Sequence, residues 1–200
     1  MSQKGKNFSR NNRGQRKRSD FYETPYSITE HLFANENFNI DLNICEPACG
    51  NGAIVRVLNK FWNGNITSYD ADVDFLTETK QYDYVVTNPP FSLAMEFIEK
   101  AKEVAVNKFA LLLPLSYLHG KRRYDHVYSD RNYGLKHVHV FTRYPMLGEK
   151  LRDDGKYRTG MMVYAWYVFE NCYSGDPIIK WIDNNDDIHR KTRKKNIAKP

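Results

Sequence analysis

The chain has 200 residues, 41% of them hydrophobic and 14% aromatic, with 30 basic and 24 acidic side chains and a formal net charge of +6. That length favours one domain and does not accommodate a catalytic domain beside a large separate recognition domain, while the apolar content suffices for a folded core. No apolar run approaches the roughly 18–20 residues of a bilayer span, and the basic N-terminus lacks the apolar stretch of a secretory signal.

The charge is unevenly placed. Residues 1–19 hold seven basic side chains, Arg16, Lys17 and Arg18 among them, and no acid; residues 188–200 hold six more and again no acid. Between them 17 basic face 24 acidic residues, so the body carries −7 and the two ends together +13. Both ends are poor in apolar residues and read as mobile basic arms flanking a domain over 20–187. Such arms suit a polyanion, because each phosphate contact releases condensed counterions. A purely solubilising role is the competing explanation.

Within the body, Ser27-Ile28-Thr29-Glu30 has the form of a capping box, so a short helix is expected from about Ser27. Residues 42–45 read as a strand, 53–59 as a helix opened by a glycine turn, 66–69 as a second strand and 82–87 as a third. Over 92–107 the apolar positions Ala94, Phe97, Ile98, Ala101, Val104 and Ala105 recur at helical spacing. Residues 109–115 are almost continuously apolar, as in a strand buried on both faces. Later strands are expected at 136–141, 161–169 and 178–181. Alternating strands and helices in the first half predict a parallel α/β sheet, to which the strand-rich second half adds antiparallel edge strands.

Three segments carry chemistry. Glu46-Pro47-Ala48-Cys49-Gly50-Asn51-Gly52 lies between a strand and a helix, where glycines let the backbone turn tightly and approach a ligand. It is neither a dinucleotide fingerprint nor a P-loop, and alone it is no more specific than an ordinary strand-to-helix turn. Asp70 closes the second strand, where an acid is placed to accept hydrogen bonds from ribose hydroxyls; a solvated loop aspartate is the plainer reading. Asn88-Pro89-Pro90-Phe91 follows the third strand. Its prolines stiffen the backbone and remove two donors, presenting the Pro89 carbonyl beside the Asn88 amide oxygen. Two acceptors next to an aromatic face suit a planar substrate bearing an amino group. Cys45, Cys49 and Cys172 form neither a disulfide framework nor a paired zinc site, so no metal and a reducing, cytoplasmic compartment are expected.

In this order the segments resemble class I methyltransferases that use S-adenosylmethionine (AdoMet), above all those, including small phage-type members, that methylate N6 of adenine in DNA. The family's Asp/Asn-Pro-Pro-aromatic motif is matched by Asn88 to Phe91, its acidic glycine motif by Glu46 to Gly52, its upstream Thr-Pro element by Phe21-Tyr22-Glu23-Thr24-Pro25, its ribose acid by Asp70, and its adenine-contacting segment by Asp74-Phe75-Leu76. The likeness covers roughly residues 20–118. It implies a Rossmann-like fold, with Tyr22, Thr24, Glu46, Pro47, Gly50 and Gly52 about the methionine part of AdoMet, Asp70 on the ribose, and Asp74 and Phe75 on the adenine. Asn88, Pro89, Pro90 and Phe91 would form the catalytic motif, with Phe91 stacking on a target base taken out of its helix. A cytoplasmic setting in a bacterial or phage-infected cell follows from the same resemblance.

Two departures stand out. Only eleven residues, 71–81, separate Asp70 from the third strand. Extended, they reach at most ~36–40 Å, enough to return the chain but not to build a helix and an edge strand as well, so a reduced sheet edge is expected. The fourth motif position is Phe91 where tyrosine is common, which preserves the stacking ring. In place of a recognition domain, residues 119–131, with Lys121, Arg122 and Arg123 as phosphate contacts, and residues 144–158 are the polar stretches left to grip nucleic acid. Solvated surface loops are the alternative for both. The same chemistry on RNA, methylation of a protein glutamine amide, and a non-catalytic nucleic-acid-binding fold remain open beside the DNA reading.

Overall fold

The computed structural model describes residues 24–69, 74–142 and 163–184. The two basic arms, Tyr22, Asp70 and the 144–158 stretch lie outside the described residues. The elements in chain order are α1 (Tyr26–Asn35), β1 (Ile44–Glu46), α2 (Ala53–Leu58), β2 (Ile66–Ser68), β3 (Tyr82–Thr87), α3 (Ala94–Val104), β4 (Ala105–Pro114), a short turn α4 (Lys121–Arg123), β5 (Tyr133–Phe141), β6 (Tyr164–Asn171) and β7 (Ile178–Ile182). The strands form one seven-stranded sheet in the order β2-β1-β3-β4-β6-β5-β7. Every pairing is parallel except those of β6 with β4 and β5. The antiparallel strand is therefore interior, held on both sides, rather than at an edge.

Alternation along the central strands divides the core into two layers. Phe109, Leu111 and Leu113 of β4, with Ala165, Tyr167 and Phe169 of β6, face α3, which supplies Phe97, Ile98, Ala101 and Val104. Ala110 and Leu112, with Trp166 and Val168, face α1 and α2, which supply Ile28, Leu32, Ile54 and Leu58. Because β3, β4 and β6 are covered on both faces, they read as nearly unbroken apolar runs. Trp166 is wholly buried and donates from Nε1 to the Ile28 carbonyl at 2.9 Å, which ties α1 to β6. No described helix is long and apolar enough to cross a membrane.

Two local features differ from the sequence expectations, and a third agrees with them. Pro25, not Ser27, stands at the N-cap of α1, and no side chain caps the helix. The fixed φ of proline prepares the turn, and Ile28 N–H bonds to the Pro25 carbonyl at 3.0 Å. The helix expected over 92–107 ends at Val104, and β4 begins at once with Ala105. There the ladder with β3 (Tyr82 opposite Ala105) overrides a helical pattern that a continuing apolar series cannot itself terminate. After β2 the described residues 74–81 hold only a 3-10 turn, Phe75–Thr77, and β2 is the sheet edge. This is the shortened edge expected from the eleven-residue connection.

The segment folds back over the sheet end through a polar knot. Glu78 Oε2 accepts from Tyr69 at 2.5 Å and from Tyr82 at 3.0 Å, and the Tyr69 bond, with the backbone N–H groups of Lys80 and Thr79 on the other oxygen, holds the Glu78 carboxyl down at a pKa of about 2.

Candidate active site

The site lies where the carboxyl ends of β1 and β3 meet the start of α1. Glu46 ends β1 with no solvent exposure. One of its oxygens, Oε1, accepts from Thr87 Oγ1 at 2.5 Å and from the Ala48 N–H at 3.0 Å. The other, Oε2, is buried with no hydrogen-bond partner among the described residues. Burial penalises the charged form more than those two bonds support it, which pushes the Glu46 carboxyl up to a pKa of about 8. An orphaned, buried carboxyl oxygen at the end of a strand is a seat for a donor that arrives with a ligand, and a cation there would draw Glu46 back to its ionised form.

The loop after Glu46 is shaped by two left-handed glycines, Gly50 (φ 48°) and Gly52 (φ 75°). Gly52 forms the N-cap of α2. A side chain at 52 would meet no atom within 4 Å, so its positive φ, not crowding, is what calls for glycine. The turn is closed by Gly52 N–H to the Cys49 carbonyl (2.7 Å) and anchored to β2 by Cys49 N–H to the Tyr69 carbonyl (2.8 Å). Pro47 is buried beneath it. Cys45 is buried as well, and burial raises its thiol above its ordinary range, so it behaves as a small apolar residue.

The β3 side is continuous with this loop. Thr87, which holds Glu46, is followed by Asn88, whose Nδ2 donates to Thr24 Oγ1 at 3.1 Å. Thr24 is 4% exposed. Two hydrogen bonds, Glu46–Thr87 and Asn88–Thr24, thus bring the glycine motif, the proline motif and the upstream Thr-Pro element into one constellation. Pro89 is buried, and Pro90 leads into a 3-10 turn over Phe91–Leu93. The half-buried Phe91 ring lies 5.5 Å from that of Tyr164 at 30°, so the two aromatics share one wall.

Other sequence-chosen residues fall elsewhere or have prior commitments. Asp74 is exposed and accepts from Leu76 N–H at 3.0 Å, capping its own 3-10 turn. Phe75 is 2% exposed and packs 5.2 Å from Phe97, inside the core rather than on an open ledge. Lys121 is exposed and paired with Asp125. Arg122 borders a groove with Glu96, Glu99 and Glu103 of α3, acids that compete with any phosphate. Arg123 stacks on Tyr117 at 4.3 Å and donates to the carbonyls of Ser116, Tyr117 and His119, closing its own loop. Two of the three cations of the Lys121–Arg123 turn are therefore already engaged, and the third, Arg122, borders acids.

Two participants escaped the sequence reading. In the sequence Thr87 reads only as the end of a strand, and its place directly before Asn88 is the available signal. Tyr164 was hidden in an apolar run, and only the pairing of β6 with β4, which sets Tyr164 opposite Pro114, carries it to the wall beside Phe91.

No protein-family model and no curated protein matches the sequence. Solved structures do match its fold. A Vibrio vulnificus protein described as a modification subunit of a type I restriction enzyme superposes with a TM-score of 0.63 at 11% identity, over 94% of this chain and 54% of that one. The methyltransferase subunit of a type I restriction-modification system from Streptococcus thermophilus gives 0.58 at 10%, over 90% and 54%. A Listeria monocytogenes protein described as a class I AdoMet-dependent methyltransferase gives 0.52 at 10%, over 85% and 67%. The chain thus has the class I methyltransferase fold, and it spans about half the length of the two restriction-system subunits.

Proposed function

We propose that the chain is an AdoMet-dependent methyltransferase acting on the N6 amino group of adenine in nucleic acid, DNA ahead of RNA. The observation that carries the reading is the pair of hydrogen bonds from the adjacent residues Thr87 to Glu46 and Asn88 to Thr24 at the carboxyl ends of β1 and β3, where open α/β sheets bind cofactors. The two type I restriction-system proteins superpose with higher TM-scores, 0.63 and 0.58, than a Pyrococcus horikoshii protein described as an RNA methyltransferase, 0.51, and on that ground DNA is placed first and RNA second.

AdoMet supplies an electrophilic methyl group on a sulfonium centre. The chain's own residues position the two partners. Glu46 Oε2 and the backbone of the Gly50–Gly52 turn receive the amino-acid end of the cofactor, and Asp70 its ribose. Asn88 Oδ1 and the Pro89 carbonyl accept hydrogen bonds from the target amino group, which turns its lone pair out of ring conjugation and toward the methyl carbon. Phe91, backed by Tyr164, stacks on the extruded base. The amine held by Asn88 and Pro89 would gain the methyl group and lose a proton to solvent, the neutral thioether of the cofactor being the leaving group. Alignment supplies most of the acceleration, and the Asn88 and Pro89 oxygens stabilise the positive charge that develops on nitrogen.

The test is incubation of the purified chain with methyl-labelled AdoMet and, in parallel, duplex DNA, single-stranded DNA, RNA and ribosomal protein. Label recovered as N6-methyladenine in DNA is the expected result. Label in RNA would move the substrate, label on a glutamine amide would replace it, and no AdoMet binding by calorimetry would overturn the enzyme reading.

A further inference from the structure

Away from this site, a second group of donors converges between α1 and the sheet. Glu36 is the C-cap residue of α1, while His137 and His139 stand two apart on β5 and so point to one face. Glu36 Oε2 lies 2.6 Å from His137 Nδ1 and 3.1 Å from His139 Nε2. One donor atom from each of the three residues falls within 4.8 Å of the others. The residues are 7%, 8% and 0% exposed. The second carboxylate oxygen, Oε1, is held by Lys108 at 3.1 Å, and Lys108 is itself bonded to the Asn37 carbonyl and paired with Glu170. One Glu36 oxygen is therefore fixed from behind, and the other is aimed at two imidazoles.

We infer that Glu36, His137 and His139 form a metal site for a divalent transition ion, zinc first, that clamps the exit of α1 to β5. Two imidazole nitrogens and one carboxylate oxygen are a donor set that zinc takes with a fourth position left for water. Zinc lies ~2.0–2.1 Å from such donors, and tetrahedral angles then separate them by about 3.3 Å. The two spacings to Glu36 have to open by under about 1 Å, and the spacing between the two imidazole donors, within 4.8 Å, has to close by at most about 1.5 Å, which side-chain rotations provide. Ion binding calls for the tautomers in which the protons now shared with Glu36 Oε2 sit instead on the far ring nitrogens, and the far nitrogen of His139, Nδ1, is buried with no hydrogen-bond partner among the described residues. The Lys108 bond plays the supporting role that outer hydrogen bonds play for ligating carboxylates. Glu36 also lines a groove with Phe33, Asn37, Phe38 and Phe61, which brings solvent to the carboxylate side of the cluster. The site has a plain link to the candidate active site. Glu36 ends the helix whose other end follows Thr24, the partner of Asn88, so a clamp at Glu36 steadies that contact.

The unmodified full chain, stripped with chelator, is titrated with zinc chloride against a chromogenic chelator, and separately with cobalt(II) followed by visible absorption. One zinc per chain with submicromolar Kd, a raised Tm, and cobalt bands of four- or five-coordinate geometry are expected. His139→Gln and Glu36→Gln should each weaken zinc binding at least tenfold, while His119→Ala/His126→Ala leaves it unchanged. Because the first two variants alter a buried cluster, the assignment is also read in the unmodified chain by nitrogen-15 NMR of its imidazoles. Zinc should shift the resonances of His137 and His139. Absence of stoichiometric binding, retention of binding by a folded His139→Gln chain, or shifts confined to other histidines would each overturn the inference. AdoMet plays no part in the assay, so its outcome is independent of the methyltransferase reading.

Discussion

Thr87 Oγ1 donates to Glu46 Oε1 across the ends of β3 and β1, and it is the only side-chain hydrogen bond that reaches the buried carboxyl among the described residues. Thr87→Val keeps the shape and removes the donor. Leaving a buried carboxyl oxygen short of a partner costs about 1–3 kcal/mol, to be read from urea denaturation. Thr87→Ser, which keeps the hydroxyl, should stay near the parent.

Glu46 also sets a pH dependence. Its folded-state pKa of about 8 lies above the ordinary 4.5. Between those values the folded chain holds a proton that the unfolded chain has lost. Stability should therefore fall as pH rises through that window and level off above it. Denaturation midpoints from pH 5 to 9 should show this slope, and Glu46→Gln should remove its Glu46 component. Binding of cationic AdoMet near pH 7 should release a proton in the parent and none in Glu46→Gln, measured by calorimetry in buffers of differing ionisation enthalpy.

Asn88 separates binding from transfer. Asn88→Ala removes an acceptor for the target amine and the donor to Thr24. Single-turnover methylation should fall by at least about 100-fold, in line with the loss of one preorganised charge-stabilising group. AdoMet affinity should change only a few-fold. Transfer that survives in Asn88→Ala would remove Asn88 from the catalytic role.

The basic arm has a salt signature. Replacing Arg16, Lys17 and Arg18 together by alanine should weaken binding to duplex DNA similarly for all sequences. It should flatten the plot of log affinity against log salt by about 2–3, as fluorescence anisotropy would show. AdoMet binding should be unaffected.

The first half of the fold was legible because each element carries a local signal: the apolar period of α3, the branched run of β3, the paired prolines after it. Glu46, Asn88 and Thr24 were likewise findable as motifs. Their mutual contacts were not, because they depend on β1 lying beside β3 in the sheet order. Phe75 illustrates the converse. Its neighbours match a binding segment, yet burial against Phe97 is decided by how a shortened connection drapes over α3. Glu36, His137 and His139 were beyond reach for the same topological reason, with 101 and 103 residues separating the carboxylate from the imidazoles.

The interior antiparallel strand has one more consequence. Because β6 runs against its neighbours, β5 ends and β6 begins on a single rim, with Val140 opposite Ala165 and Tyr164 opposite Pro114. Chain that departs after Phe141 re-enters beside Phe91, one strand over from where it left. Lengthening or rewriting that excursion leaves every strand register intact, and loop-closure entropy grows only slowly with length. The connection from β5 to β6 thus begins and ends on the rim that carries Phe91 and Tyr164, where its length can vary without disturbing the sheet.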